Sequence, residues 1–232
     1  MSESTNTPVS TQQSYGSEPD QIFERYSSDS LHAPTLLLIH GGYWRTQFDR
    51  EHFRPVAEKL AFKGFEVILA EYRRIPGDPK ATTTDIDMLI EMLSKEKLIL
   101  IGYSAGGQLA LLAAPKFSNV VGIIGLAPVT DLEQTEKLGL GEKAVQAWLQ
   151  SPATSFPELD PTKGEIASVP IIFIHGTNDD RVPIHLSENY VDQFKSRGGD
   201  ISLHKLEGLG HFDLMDPNSV AYSHLIEAIR AF

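Results

Sequence analysis

The chain has 232 residues, 41% hydrophobic and 22% charged, which is enough for one large core and short for two, so one domain is expected. Its 20 basic and 31 acidic residues leave a net charge of -11 with no basic cluster, which argues against nucleic acid or an anionic membrane surface as main partner. Cysteine is absent, removing disulfides, thiolate chemistry and Cys-ligated metal from consideration, and no run approaches the roughly eighteen apolar residues of a membrane span; a cytoplasmic monomer or homodimer is expected.

Residues 1–20 are rich in Ser, Thr, Gln and Pro without periodicity, and lack the basic and apolar regions of a signal peptide; they read as a mobile arm. Residues 21–26 suit a short edge strand. Residues 35–40 form a continuous apolar run of the kind buried on both faces of a parallel sheet, followed by His40-Gly41-Gly42-Tyr43-Trp44. Residues 49–63 carry Phe53, Val56, Ala57 and Leu60 at helical spacing and stop at Gly64. A strand over 65–70 and a loop over 71–76 precede a helix over 84–93, with Thr84 as its N-cap. Residues 97–101 are a strand broken by Gly102, and 105–114 a helix. Strands over 120–127 and 169–175 bracket a segment, 128–168, that is a candidate lid. A helix over 184–197, a strand over 201–206 and a helix over 220–232 complete the chain. The alternation predicts a doubly wound, mostly parallel α/β sheet over 21–232 with a short cap insertion, and a site beyond the carboxyl ends of its strands.

Gly102-Tyr103-Ser104-Ala105-Gly106 stands where strand meets helix. In that context G-x-S-x-G lifts a serine above the sheet edge and aims helix N-terminal amides at the same point, which nominates Ser104 as nucleophile. A serine hydroxyl needs a base oriented by a carboxylate. Downstream histidines are His175, His185, His204, His211 and His224. His211 occupies a glycine-bearing loop after the last strand and is the candidate base; His175, His204 and His224 fall within or at the end of regular elements and read as packing or surface residues. In the loop from 175 to 183, Asp179 is the candidate acid, and Asp180 is left to solvent or Arg181. The amide of Gly42 or Tyr43, with that of Ala105, would form the oxyanion hole. His40 reads as a brace for that loop, since no second ligand stands at metal spacing. No metal or organic cofactor is implied.

Tyr15-Gly16 with Gln21, then His40-Gly41-Gly42-Tyr43-Trp44 and Gly102-Tyr103-Ser104-Ala105-Gly106, resemble α/β-hydrolase fold serine hydrolases, and within them the arylformamidase (kynurenine formamidase) and esterase group. The chain departs from the formamidase pattern at Gln108, where histidine is frequent, and its acid loop looks like that of general esterases and peptidase-like hydrolases. The resemblance implies hydrolysis of N-formyl aryl amides such as N-formylkynurenine through a formyl-serine intermediate, with Trp44 and Tyr103 as substrate contacts. Arg45, Arg73 or Arg74 would then pair with a substrate carboxylate. A carboxylesterase using the same three residues is the alternative, and a non-catalytic ligand-binding relative the third reading.

Overall fold

The computed structural model describes residues 9–28 and 34–232. Its strands are β1 (Ser10–Ser14), β2 (Ile22–Tyr26), β3 (Thr35–Ile39), β4 (Val67–Ala70), β5 (Leu98–Tyr103), β6 (Val120–Leu126), β7 (Ile171–Gly176) and β8 (Ile201–Leu206). They form one sheet in the order β1-β2-β4-β3-β5-β6-β7-β8. β1, β2 and β4 pair antiparallel, and β4 onward the ladder is parallel. This is the expected doubly wound α/β arrangement.

The helices are α1 (Arg54–Phe62), α2 (Pro79–Met92), α3 (Ala105–Ala113), α4 (Leu132–Lys137), α5 (Leu140–Leu149), α6 (His185–Ser196) and α7 (Ala221–Arg230). They explain why β3 is buried at every position and apolar from Leu36 to Ile39. Leu37 and Ile39 pack on one face with Leu89 of α2, Leu109 of α3 and Phe194 of α6. Leu36 and Leu38 face the other way, onto Leu60 of α1 and Leu225 of α7. With water excluded from both faces, alternation has no purpose, and each fully buried Leu or Ile contributes about 1.5–3 kcal/mol. A third apolar cluster, including Trp44, Leu132, Trp148 and Leu186, seats the insertion between β6 and β7 on the carboxyl edge of the sheet.

Two expectations need correction. Residues 9–20, read as part of a mobile arm, instead pair through β1 with β2, and Tyr15 Oη donates to Glu71 O at 2.7 Å; residues 1–8 lie outside the described residues. The Gln21 side chain closes over Gly16, accepts from Glu18 N at 3.0 Å and donates to Asp85 at 2.7 Å. The second correction concerns α2, which begins five residues before Thr84 at Pro79. Asp78 caps it by accepting from Ala81 N at 3.2 Å, and Pro79 fits the first helical position because no donor is needed there.

Candidate active site

Ser104 is the one residue between β5 and α3, with φ 53° and ψ -119°. For a residue with a Cβ this costs about 1–3 kcal/mol, so the surroundings must enforce it. They do so from both sides: Ser104 N donates to Leu126 O at 2.9 Å, and Ser104 O accepts from Gly107 N and Val129 N at 3.0 Å each. Gly106 lets α3 lie against the loop after β3, since a Cβ there would stand 2.1 Å from Ile39 O and 2.4 Å from His40 O. As the first residue of α3, Ala105 has an amide with no partner inside the helix.

The loop after β3 is held in an unusual shape, with Gly42, Tyr43 and Trp44 at φ 106°, 51° and 55°. Left-handed backbone costs the two aromatic residues about 1–2 kcal/mol each, and their side chains are the anchors that offset it. Trp44 stacks on Trp148 at 4.4 Å and donates to Gln108 Oε1 at 3.1 Å, while Gln108 donates to Leu159 O at 2.7 Å. Tyr43 Oη donates to Arg181 O at 2.6 Å. From behind, His40 packs flat on Tyr72 at 4.3 Å, and Tyr72 Oη donates to His40 O at 2.7 Å. The second edge of His40 meets Glu71 at 3.1 Å, and Glu71 also accepts from Arg50 N at 3.0 Å and from Arg74. Burial alone would push the Glu71 carboxyl up, but the His40 hydrogen bond and charge with Arg74 hold it well below the usual carboxylate range.

Asp179 and His211 meet over the same edge. Asp179 Oδ1 accepts from Arg181 N and Val182 N, both at 2.8 Å, and Oδ2 accepts from His211 Nδ1 at 2.7 Å. Against the upward push of burial, hydrogen bonds from His175 and His211 keep the Asp179 carboxyl far below its ordinary value. With Nδ1–H committed to Asp179, the lone pair of His211 lies on Nε2. His211 and Ser104 both line a cavity of about 530 Å³, whose walls include Gly42, Tyr43, Phe48 and Tyr103. Asp180 points to the rim instead, 3.6 Å from Arg181 Nε. His204 and His224 face each other elsewhere, 6.4 Å apart.

Trp44 and Tyr103 divide. Tyr103 lines the cavity, whereas Trp44 does not and lies behind its wall, stacked on Trp148, as a brace rather than a substrate contact. Of the three arginines, only Arg45 reaches the cavity. Arg73 is bound to Asp85 at 2.7 Å and 2.9 Å, and Arg74 is buried on Glu71. Four wall elements were not singled out from sequence: Phe48 with His52, Arg181, Phe212, and residues 139–142 of the insertion. His52 is pushed down to about 4 by burial and the neighbouring His40, so it is a neutral imidazole at pH 7. In the insertion, Gly139, Gly141, Glu142 and Lys143 have φ between 56° and 64°, and Arg45 Nη2 clamps this left-handed turn through Gly141 O at 2.6 Å. Among the described residues, no group of three or more His, Asp or Glu side chains is arranged to hold a metal ion.

Two expected outcomes follow from the carboxylates. Asp179→Asn should lower kcat about 10⁴-fold by removing the charge that orients and stabilises the imidazolium, while Asp180→Asn changes KM alone; steady-state kinetics on one ester checks both. Asp179 and Glu71 both have folded-state pKa values below their unfolded ones near ~4, so their stabilisation is complete above that range and is lost as pH falls through it toward the folded values. Urea midpoints should begin to fall below about pH 6.5, where the unfolded chain but not buried His52 takes up a proton, and drop further below about 4 as the carboxylates protonate, with the low-pH part of the drop shallower in Glu71→Gln.

Comparison with known proteins bears on this geometry. The sequence profile of the prolyl oligopeptidase family matches residues 86–231. Acylamino-acid-releasing enzyme 2 of Oryza sativa is 26% identical over 211 residues, covering 75% of this chain and 27% of that enzyme. The chain thus spans about a quarter of that relative's length. The kynurenine formamidase of Danio rerio is 26% identical over 87% of this chain and 74% of its own length. Among solved structures, esterase B of Lactobacillus rhamnosis superimposes with a TM-score of 0.81 at 20% identity, covering 97% of this chain and 86% of that one, which establishes a shared α/β-hydrolase fold.

Proposed function

The chain belongs to the prolyl oligopeptidase family of α/β hydrolases, and from that premise we propose that it is a serine hydrolase working through Ser104, Asp179 and His211. The observation that carries the reading is the 2.7 Å bond from His211 to Asp179, which presents the imidazole to the cavity that Ser104 also lines from its strained turn. His211 Nε2 takes the Ser104 proton as Oγ attacks the carbonyl carbon. The oxyanion is met by the amide of Ala105 and that of Gly42 or Tyr43, a class of interaction worth about a hundred- to a thousandfold per donor. His211 then protonates the departing nitrogen or oxygen, and water attacks the acyl-serine by the same route in reverse.

For substrate, we infer an N-formyl aryl amide. Tyr43, Phe48, Tyr103 and Phe212 supply aromatic walls, and a formyl group is the least hindered acyl. An aniline leaves more readily than an alkyl amine because it is less basic, so the esterase-like machinery suffices. The relative from Danio rerio, a kynurenine formamidase, supports this direction. One observation favours the second reading, an uncharged small ester: both cavity arginines already have partners, Arg45 at Gly141 O and Glu142, Arg181 at Asp180. A substrate carboxylate would have to displace them.

The deciding experiment compares kcat/KM on N-formylkynurenine and p-nitrophenyl acetate, with Ser104→Ala as the blank. A formamidase prefers the formyl amide by at least about tenfold, a difference of ~1.4 kcal/mol in transition-state binding. Ester turnover with negligible deformylation would replace that reading by carboxylesterase, and inactivity on both would overturn both substrate readings.

A further inference from the structure

The Asp179 carboxylate is reached by two histidines, not one. His175, the penultimate residue of β7, is wholly buried, with Nε2 2.8 Å from Val182 O and 3.3 Å from Asp179 Oδ2. Its Nδ1 lies 2.8 Å from Ser187 Oγ on α6. A backbone carbonyl only accepts, so Nε2 must carry a hydrogen; in the neutral ring Nδ1 is then an acceptor, and Ser187 donates to it. The same hydrogen on Nε2 is therefore shared between Val182 O and Asp179 Oδ2. That oxygen is the one that accepts from His211.

On this basis we propose that His175 is a positioning residue for the reaction, holding Asp179 Oδ2 in line with His211 Nδ1, and that Ser187 holds His175 in the donating tautomer. The inference rests on the serine-hydrolase reading. The two backbone amides on Oδ1 fix one end of the carboxylate but leave it free to pivot about that end. His175 restrains the other end. Its own ring is prevented from turning because its far nitrogen is tied to a different element, α6, so Ser187, His175, Asp179 and His211 link helix, strand and both loops through hydrogen bonds that converge on the Asp179 carboxylate from two sides. His175 touches neither the cavity nor the substrate, and its effect is exerted wholly through Asp179.

The test uses His175→Phe, which keeps a ring but deletes both nitrogens, and His175→Gln, which keeps a side-chain N–H donor. Three readouts are made on the full chain: kcat and KM on p-nitrophenyl acetate, the rate at which a fluorophosphonate labels Ser104, and the far-downfield proton resonance of His211 Nδ1–H. Expected for His175→Phe is a fall in kcat and in labelling rate of about 10- to 100-fold with KM within twofold, the size of effect a small misplacement of a reacting group produces. The downfield resonance should move or broaden. His175→Gln should recover most of the rate and the resonance. If His175→Phe does not fold, Ser187→Ala serves: it should lower kcat several-fold and shift the same resonance. An unmoved resonance and unchanged kcat in His175→Phe, or in Ser187→Ala where that variant is used, overturns the proposal. So does an equal loss in Phe and Gln variants, which would mean only packing is disturbed. Failure of the unaltered chain to label would overturn the hydrolase reading itself and is distinguishable from both.

Discussion

Ser104→Ala is expected to lower kcat by about 10⁴- to 10⁶-fold on any substrate the protein turns over, and His211→Ala by a similar factor. The two residues act as one unit. A hydroxyl without a base and a base without a hydroxyl are equally ineffective, so the double variant should be no worse than either single one. The folded structure should survive, because the Ser104 turn is held by its backbone bonds to Leu126, Gly107 and Val129 rather than by Oγ. His204→Ala is the control. His204 packs near His224, away from the cavity, and its removal should leave kcat within twofold. Activity retained in Ser104→Ala would show that the chemistry is carried elsewhere.

The second large effect is on stability. Gly106→Ala places a methyl 2.1 Å from Ile39 O and 2.4 Å from His40 O, and both contacts are backbone. No rotamer relieves them. Either α3 moves off the sheet or the loop after β3 shifts, and each carries part of the site. Overpacking of this kind costs about 3 kcal/mol or more. For a chain of this size that corresponds to a fall in Tm of roughly 6–12 °C. Gly164→Ala is the comparison, since a Cβ there has its nearest neighbour at 3.8 Å; its Tm should move by less than about 2 °C. Equal Tm values in the two variants would show that the loop gives way at little cost.

These two outcomes depend on residues of different legibility. Ser104 was readable because the elbow is local: a strand, a tight turn and a helix start are written within one short stretch, and glycine is needed wherever two backbones touch. Asp179 and His211 were readable because a doubly wound sheet places the loops after β7 and β8 on the same edge as the loop after β5. Topology did the converging, and chemistry then left few residue types to choose among. By contrast, β1 was missed. Its sequence, Ser-Thr-Gln-Gln-Ser, has no apolar alternation, and four of its five residues are exposed, so only backbone pairing to β2 defines it. Thr84 was mistaken for a cap because the apolar periodicity of α2 begins late, after a first turn that Asp78 and Pro79 start by other means.

The sequence by itself determined the α/β class and the buried strands, and it nominated a serine, a histidine and a carboxylate that the fold brings to one sheet edge, since periodicity and turn chemistry are encoded by near neighbours. Only the tertiary structure decided what the cavity is made of. Tyr43 and Trp44 share a left-handed backbone that nothing in their side chains announces, and their long-range partners, Arg181 O for Tyr43 and Trp148 with Gln108 for Trp44, leave one lining the cavity and the other behind its wall. Arg45 faces the cavity while Arg73 and Arg74 find carboxylates elsewhere, because each partner comes from a distant part of the chain. His175 reads as one more strand-end histidine until β7, α6 and the acid loop are folded together around it. Such contacts join segments far apart in sequence, and no local pattern carries their geometry.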